Sequence, residues 1–232
     1  MITSILIDLD GTLMDTVPDL AEAANRMRAD EGLPPLAPER IAAFVGKGAV
    51  VLVHRAITDR FDGQLDDETF ARARASFFRH YHDTNGTRAR VFDRVPEALA
   101  MLRGAGFGMA CVTNKPREFT IPLLQRCGLA ASFDAIVAGD DVARGKPHPD
   151  IVIAACARLG AQPGRARLIG DSLNDALAAH AAGARSVLVT TGYNEDRPVA
   201  ELRGEPGVDA IVSGVYEAAQ WIIGQASAAP RA

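Results

Sequence analysis

The stretch Ile5-Leu6-Ile7-Asp8-Leu9-Asp10-Gly11-Thr12-Leu13-Met14-Asp15-Thr16 decides the reading of this chain. An apolar run of strand character ends in two aspartates two residues apart. Side chains alternate faces along a strand, so positions i and i+2 point the same way. Asp8 and Asp10 are therefore expected to project together near the carboxyl end of the strand, and Gly11 lets the chain turn there. Asp and Gly also favour ordinary turns, which is the bland reading. Two close carboxylates repel, however, unless a cation lies between them. A hard divalent cation with oxygen ligands suits them, and Mg²⁺ is the common one where phosphate is handled.

Composition narrows the field. The chain has 232 residues, 48% of them hydrophobic, and a formal net charge of −4. That length allows one large domain, or a domain carrying a sizeable insertion. The mild acidity gives no reason to expect nucleic acid or an anionic membrane as partner. No apolar run reaches transmembrane length, and no basic leader precedes the first strand, so a cytoplasmic protein is expected. Cys111, Cys127 and Cys156 have no metal-like spacing and read as small hydrophobes in a reducing compartment.

Outward from the first strand, short apolar runs recur at Met109–Thr113, Ala135–Ala138, Arg167–Gly170, Ser186–Val189 and Ala210–Val212. Helical patterns separate most of them, at Val95–Ala105, Phe119–Cys127, Pro149–Leu159, Ser172–Ala182 and Val215–Ile223. Such alternation predicts an α/β fold with a parallel sheet covered on both faces. One interval breaks it. From Thr16 to Arg90 there is no clear strand, but Leu20–Asp30, Ala49–Asp59 and Asp67–His82 read as helices, the last with Phe70, Phe77, Phe78 and Tyr81 as apolar anchors. The expected organisation is a doubly wound parallel-sheet (Rossmann-like) core over 1–15 and 91–226, with an inserted α-helical cap over 16–90. Residues 227–232 are expected to be a disordered tail.

Three more strand ends carry chemistry. Thr113-Asn114-Lys115-Pro116 places a hydroxyl where a helix begins, suited to a phosphate oxygen. An ordinary helix start with Pro just inside it reads equally well in isolation. Lys146-Pro147-His148-Pro149 flanks a lysine with prolines, so its ammonium is delivered to a fixed place, where it could offset phosphoryl charge. Gly170-Asp171-Ser172-Leu173-Asn174-Asp175 ends a strand and opens a helix, with Asp175 expected on the same helix face as Asp171. Parallel strands put their carboxyl ends together, so all these groups should share one crevice.

In this order, the four segments resemble the motifs of the haloacid dehalogenase-like hydrolase superfamily: Asp-x-Asp-Gly-Thr-Leu, a Ser or Thr at a strand end, Gly-Lys-Pro-x-Pro, and Gly-Asp-Ser-x-x-Asp. The resemblance implies a Mg²⁺-dependent phosphomonoester hydrolase. Asp8 would be the nucleophile that forms an aspartyl-phosphate, and Asp10 the general acid and base. Thr113 would bind the phosphoryl group, with Asn114 helping to orient the site, and Lys146 would bridge Asp8 and that group. The metal would be held by Asp8, the backbone carbonyl of Asp10, and Asp171, with Asp175 acting directly, through water, or on Lys146. Dehalogenases of the superfamily lack the second aspartate, so Asp10 argues against dehalogenation.

Gly46-Lys47-Gly48 and the helix after it, through Arg55, resemble the cap of the family's phosphoglycolate phosphatases, as do Thr113–Pro116 and Gly192-Tyr193-Asn194. Lys47 or Arg55 would then hold the carboxylate of 2-phosphoglycolate; a solvated helix face is the alternative for both. The cap's eleven basic and eleven acidic residues offer no bulk attraction to an anion, so selection must be local. Phe92-Asp93-Arg94-Val95 departs from the aromatic-Pro-Gly-Val turn that relatives often carry. Other readings are a phosphatase for a sugar phosphate, nucleotide or pyrophosphate, a β-phosphoglucomutase-like phosphotransferase, and a non-catalytic binding module. The expected partner is a small phosphorylated metabolite, with the chain acting as monomer or homodimer.

Overall fold

Strand β1 (Ser4–Ile7) lies at the centre of a six-stranded parallel sheet and is wholly buried. The computed structural model describes residues 1–228. β4 (Gly108–Val112) pairs with one edge of β1 and β6 (Ala166–Gly170) with the other. Outside them lie β5 (Ala135–Val137), then β7 (Arg185–Val189) and β8 (Val208–Val212), in the order β5-β4-β1-β6-β7-β8. The fold is thus the expected doubly wound α/β type, and the chain changes direction across the sheet at β1. Ligand crevices form at such switch points, beyond the carboxyl ends of the strands.

Helices cover both faces. Ile5 and Ile7 point into one apolar layer with residues of α5 (Val95–Gly104) and α9 (Val215–Ala228), while Leu6 points into the other with residues of α7 (Asp150–Arg158) and α8 (Leu173–Ala181). The continuous apolar character of the strands follows from this double burial. α9 runs to Ala228, beyond the point where the chain was expected to lose structure, so Ser227 and Ala228 are helical; residues 229–232 of the expected tail lie outside the described residues.

The interval after β1 contains α1 (Val17–Asp30), α2 (Pro38–Phe44), α3 (Gly48–Thr58) and α4 (Asp67–Thr84). These helices share an apolar core of their own, built on Leu20, Met27, Ile41, Phe44, Leu52 and Phe77. α2 was not anticipated. Pro38 occupies the first turn of that helix, where its missing N–H costs nothing.

Two further strands were also unforeseen. β2 (Met14–Asp15) and β3 (Arg90–Val91) pair antiparallel and tie the two connections of the helical insertion together. Asp19, in the first turn of α1, reinforces the tie. Its buried carboxylate accepts hydrogen bonds from the backbone N–H groups of Gly86, Arg88 and Ala89, at 2.7, 2.8 and 3.2 Å. Among the described residues, no helix is long and apolar enough to cross a membrane.

Candidate active site

The carboxyl ends of β1, β4 and β6 deliver the expected groups to one crevice. Asp8 follows β1, Thr113 follows β4, and Asp171 follows β6; Lys146 arrives from the loop before α7. The Lys146 ammonium lies 2.7 Å from an Asp8 oxygen and 2.6 Å from one of Asp175. Asp175 caps α8: its second oxygen accepts from the Ser172 hydroxyl at 2.7 Å and the Ser172 N–H at 3.2 Å. Asp171 lies before the helix rather than on it, so the strand-to-helix turn, not a shared helix face, brings the two carboxylates together.

Asp8, Asp171 and Asp175 are all buried, and each offers an oxygen within 4.8 Å of the others'. Burial pushes the Asp8 carboxyl up to about 7, against the pull of Lys146. Burial and the neighbouring Asp175 and Asp8 charges likewise raise Asp171 well above the usual carboxylate range. Burial pulls the Lys146 ammonium down, but Asp175 and Asp8 more than offset this and keep it charged. One ammonium among three carboxylates leaves an excess of negative charge in a dry site. The donor set is hard oxygen, and a divalent cation such as Mg²⁺ fits both the charge and the chemistry.

Backbone approaches this cluster closely. Gly11 has φ of +85°, and a Cβ built on it would lie 2.5 Å from an Asp171 oxygen. Gly192 packs as tightly from the loop after β7, where a Cβ would lie 2.1 Å from the same oxygen. The Thr12 hydroxyl and the Tyr193 N–H complete the carboxylate's partners at 3.1 and 2.6 Å. Neither glycine tolerates a side chain, because the space is filled by the carboxylate that the site needs.

Asp10 has different company. Its Oδ1 accepts from the Thr16 hydroxyl at 2.7 Å and from the Lys115 ammonium at 2.9 Å. Its side chain therefore stands apart from the three-carboxylate cluster while lining the same pocket. Lys115 was missed as a site residue although it directly follows Thr113-Asn114. It is buried, and burial pulls its pKa down, but Asp10 and Tyr81 together more than offset this, so the group stays cationic. Thr113 is buried, with its hydroxyl accepting the Lys115 N–H at 3.1 Å.

Asn114 is a joint between three loops. Its amide donates to the carbonyls of Gly46 and Lys146, at 2.9 and 2.8 Å, and its oxygen accepts the Lys146 N–H at 2.7 Å. Lys47 and Arg55 lie elsewhere. Both pair with Glu195 from the loop after β7, at 2.8 and 2.7 Å, and neither lines the pocket that contains Asp8. That pocket is a small cavity of about 40 Å³. Its floor is Asp8, Asp10, Thr113, Lys115 and Lys146; Leu20, Leu52, Phe77 and Tyr81 roof it from the helical insertion.

A family profile described as haloacid dehalogenase-like hydrolase matches residues 2–183, which include every residue of this floor. The chain belongs to the haloacid dehalogenase-like hydrolase family. It is an enzyme of that family, and the match covers 182 of its 232 residues. Phosphoglycolate phosphatase from Nitrosospira multiformis is 45% identical over 221 residues, covering 95% of this chain and 96% of the relative. The crystal structure of a predicted phosphoglycolate phosphatase from Haemophilus somnus superposes with a TM-score of 0.86 at 31% identity, over 95% of this chain and 98% of the other. CbbY from Rhodobacter sphaeroides, solved in complex with phosphate, gives 0.76 at 26% identity, over 94% and 96%.

Proposed function

We propose that this hydrolase is a Mg²⁺-dependent phosphatase of small phosphomonoesters, with 2-phosphoglycolate as its substrate. The observation that carries this reading is the floor of the pocket: a nucleophile-type carboxylate on a buried ammonium, a separate carboxylate on a second ammonium, and a buried hydroxyl lining the same pocket. The relatives' names supply the substrate. The apolar roof agrees, since it offers little to the many hydroxyls of a sugar.

In the first step an Asp8 oxygen attacks phosphorus, the bond from phosphorus to the ester oxygen breaks, and Asp10 gives its proton to the departing alkoxide. In the second, water attacks the aspartyl-phosphate, Asp10 takes the water's proton, and the Asp8 carboxylate is regenerated with release of inorganic phosphate. Lys146 and Lys115 hold positive charge over the oxygens where negative charge gathers. Thr113 donates to a phosphoryl oxygen, and Asn114 keeps the Lys146 loop in register. Asp8, the Asp10 carbonyl and Asp171 would hold Mg²⁺, with Asp175 orienting Lys146; the cation supplies charge neutralisation at the phosphoryl group.

Residues 16–90 act as a cap over core segments 1–15 and 91–226, hinged at the β2–β3 ribbon. Closure around a small cytoplasmic metabolite would exclude water from the floor. Phosphate release from a panel of small phosphomonoesters, with and without Mg²⁺, tests the reading. Selective, Mg²⁺-dependent turnover of 2-phosphoglycolate is expected. Equal turnover of every ester removes the named substrate, and interconversion of sugar phosphates without phosphate release removes the phosphatase.

A further inference from the structure

Among the described residues, Tyr81 is the one cap residue lining the pocket that carries a polar side-chain atom. The residue is 2% exposed, its hydroxyl makes no hydrogen bond of ordinary geometry, and the neighbouring Lys115 ammonium that acts on it can only donate, which leaves the phenol's own proton without an acceptor. A buried polar group without a partner is costly, and native proteins rarely leave one unless something else completes it. The ring is held firmly. It stacks on Phe77 with centroids 5.4 Å apart and leans on Phe119 at 4.7 Å. The Lys115 ammonium lies 4.9 Å from the ring centroid. The hydroxyl therefore occupies a fixed place beside the Lys115–Asp10 pair, where the charges of both reach it.

We propose that Tyr81 is a specificity-determining residue: its hydroxyl donates to the carboxylate at the far end of a short phosphate ester. The inference rests on the phosphatase reading above and names the group that sets its selectivity. Burial keeps the phenol protonated, so it serves as a donor. Lys115 spends one donor on Asp10 and has others to offer, and its charge balances that of an incoming carboxylate. Elsewhere in the pocket lining, Leu20, Leu52, Phe77 and Phe119 offer nothing to further polar groups. A site of this kind rejects an analogue that lacks the group its buried donor requires.

The test compares 2-phosphoglycolate with ethyl phosphate, the same ester with a methyl group in place of the carboxylate. kcat/KM is measured for both with the wild type and with Tyr81→Phe, which keeps the ring and its packing. The wild type should prefer 2-phosphoglycolate, and the variant should lose about tenfold of that preference, mainly through KM; tenfold corresponds to ~1.4 kcal/mol. Equal losses on both esters would make Tyr81 a packing residue and overturn the proposal. An unchanged preference would mean that water alone satisfies the hydroxyl, and would also overturn it. Both results leave the phosphatase standing. A wild type that prefers neither ester but turns over a different one selectively would instead remove 2-phosphoglycolate as the substrate, and this proposal with it.

Discussion

Replacing Asp19 with alanine should loosen the hinge and destabilise the chain together. The side chain is 1% exposed and accepts from Gly86, Arg88 and Ala89 N–H groups at 2.7, 2.8 and 3.2 Å, and from the Thr87 hydroxyl at 3.2 Å. A hydrogen bond to a charged acceptor contributes about 1.5–3 kcal/mol, and buried donors left unpaired cost a similar amount each. Against this, removing a buried carboxylate relieves a desolvation penalty of several kcal/mol. The net loss should be about 3 kcal/mol, which at this chain length lowers Tm by roughly 6–12 °C. Because residues 86–89 lead directly into β3, the same change should alter kcat and KM together, as hinge changes do. Asp19→Asn keeps one acceptor oxygen but turns an NH₂ toward the donors, so it should fall between the wild type and alanine. Thermal and urea unfolding, with steady-state kinetics on the same samples, measure all of this. A loss below about 1 kcal/mol with unaltered kinetics would refute the assignment of these four contacts to the hinge.

Lys146→Met should reduce turnover by at least about a hundredfold, because it removes the buried cation between Asp8 and Asp175, and phosphate-release kinetics will show it. Lys47→Ala and Arg55→Ala should raise KM for all esters alike, since both side chains tie the helical insertion to Glu195 in the loop after β7; a loss confined to carboxylate-bearing substrates would put them in contact with substrate instead. The Arg117 hydrogen bond holds the Asp141 carboxyl at about 2, below its ordinary 3.8. A depressed carboxylate adds stability that is present above the unfolded value and lost as pH falls through the folded one. Asp141→Asn should therefore be less stable than wild type at neutral pH, and the gap in Tm should close between about pH 4 and pH 2.

The core was legible because its signals are local. Ile5–Ile7, Met109–Val112 and Leu168–Gly170 are each continuous apolar runs followed directly by a polar residue, and a parallel sheet buried on both faces writes its strands in that way. What the sequence hid depends on contacts between distant segments. β2 and β3 are two residues long, too short for any periodicity, and exist only because they meet. Glu195 sits in a loop with no pattern and meets Lys47 and Arg55 only in the fold. Tyr81 read as an apolar anchor of its helix, which is correct for its ring. Helical spacing shows that a residue is buried, but not that the buried face roofs a pocket. Lys115 is the exception, since its place beside Thr113 was visible and only its pairing with Asp10 gives it a role.

The central claim is that Asp8 attacks phosphorus. It is tested most directly by phosphate release from 2-phosphoglycolate in the presence of Mg²⁺, wild type against Asp8→Asn, with circular dichroism to confirm that the variant is folded. The amide is nearly isosteric with the carboxylate but cannot form the acyl-phosphate, so turnover should fall to background. Folded Asp8→Asn enzyme that retains a substantial fraction of wild-type turnover would contradict the mechanism.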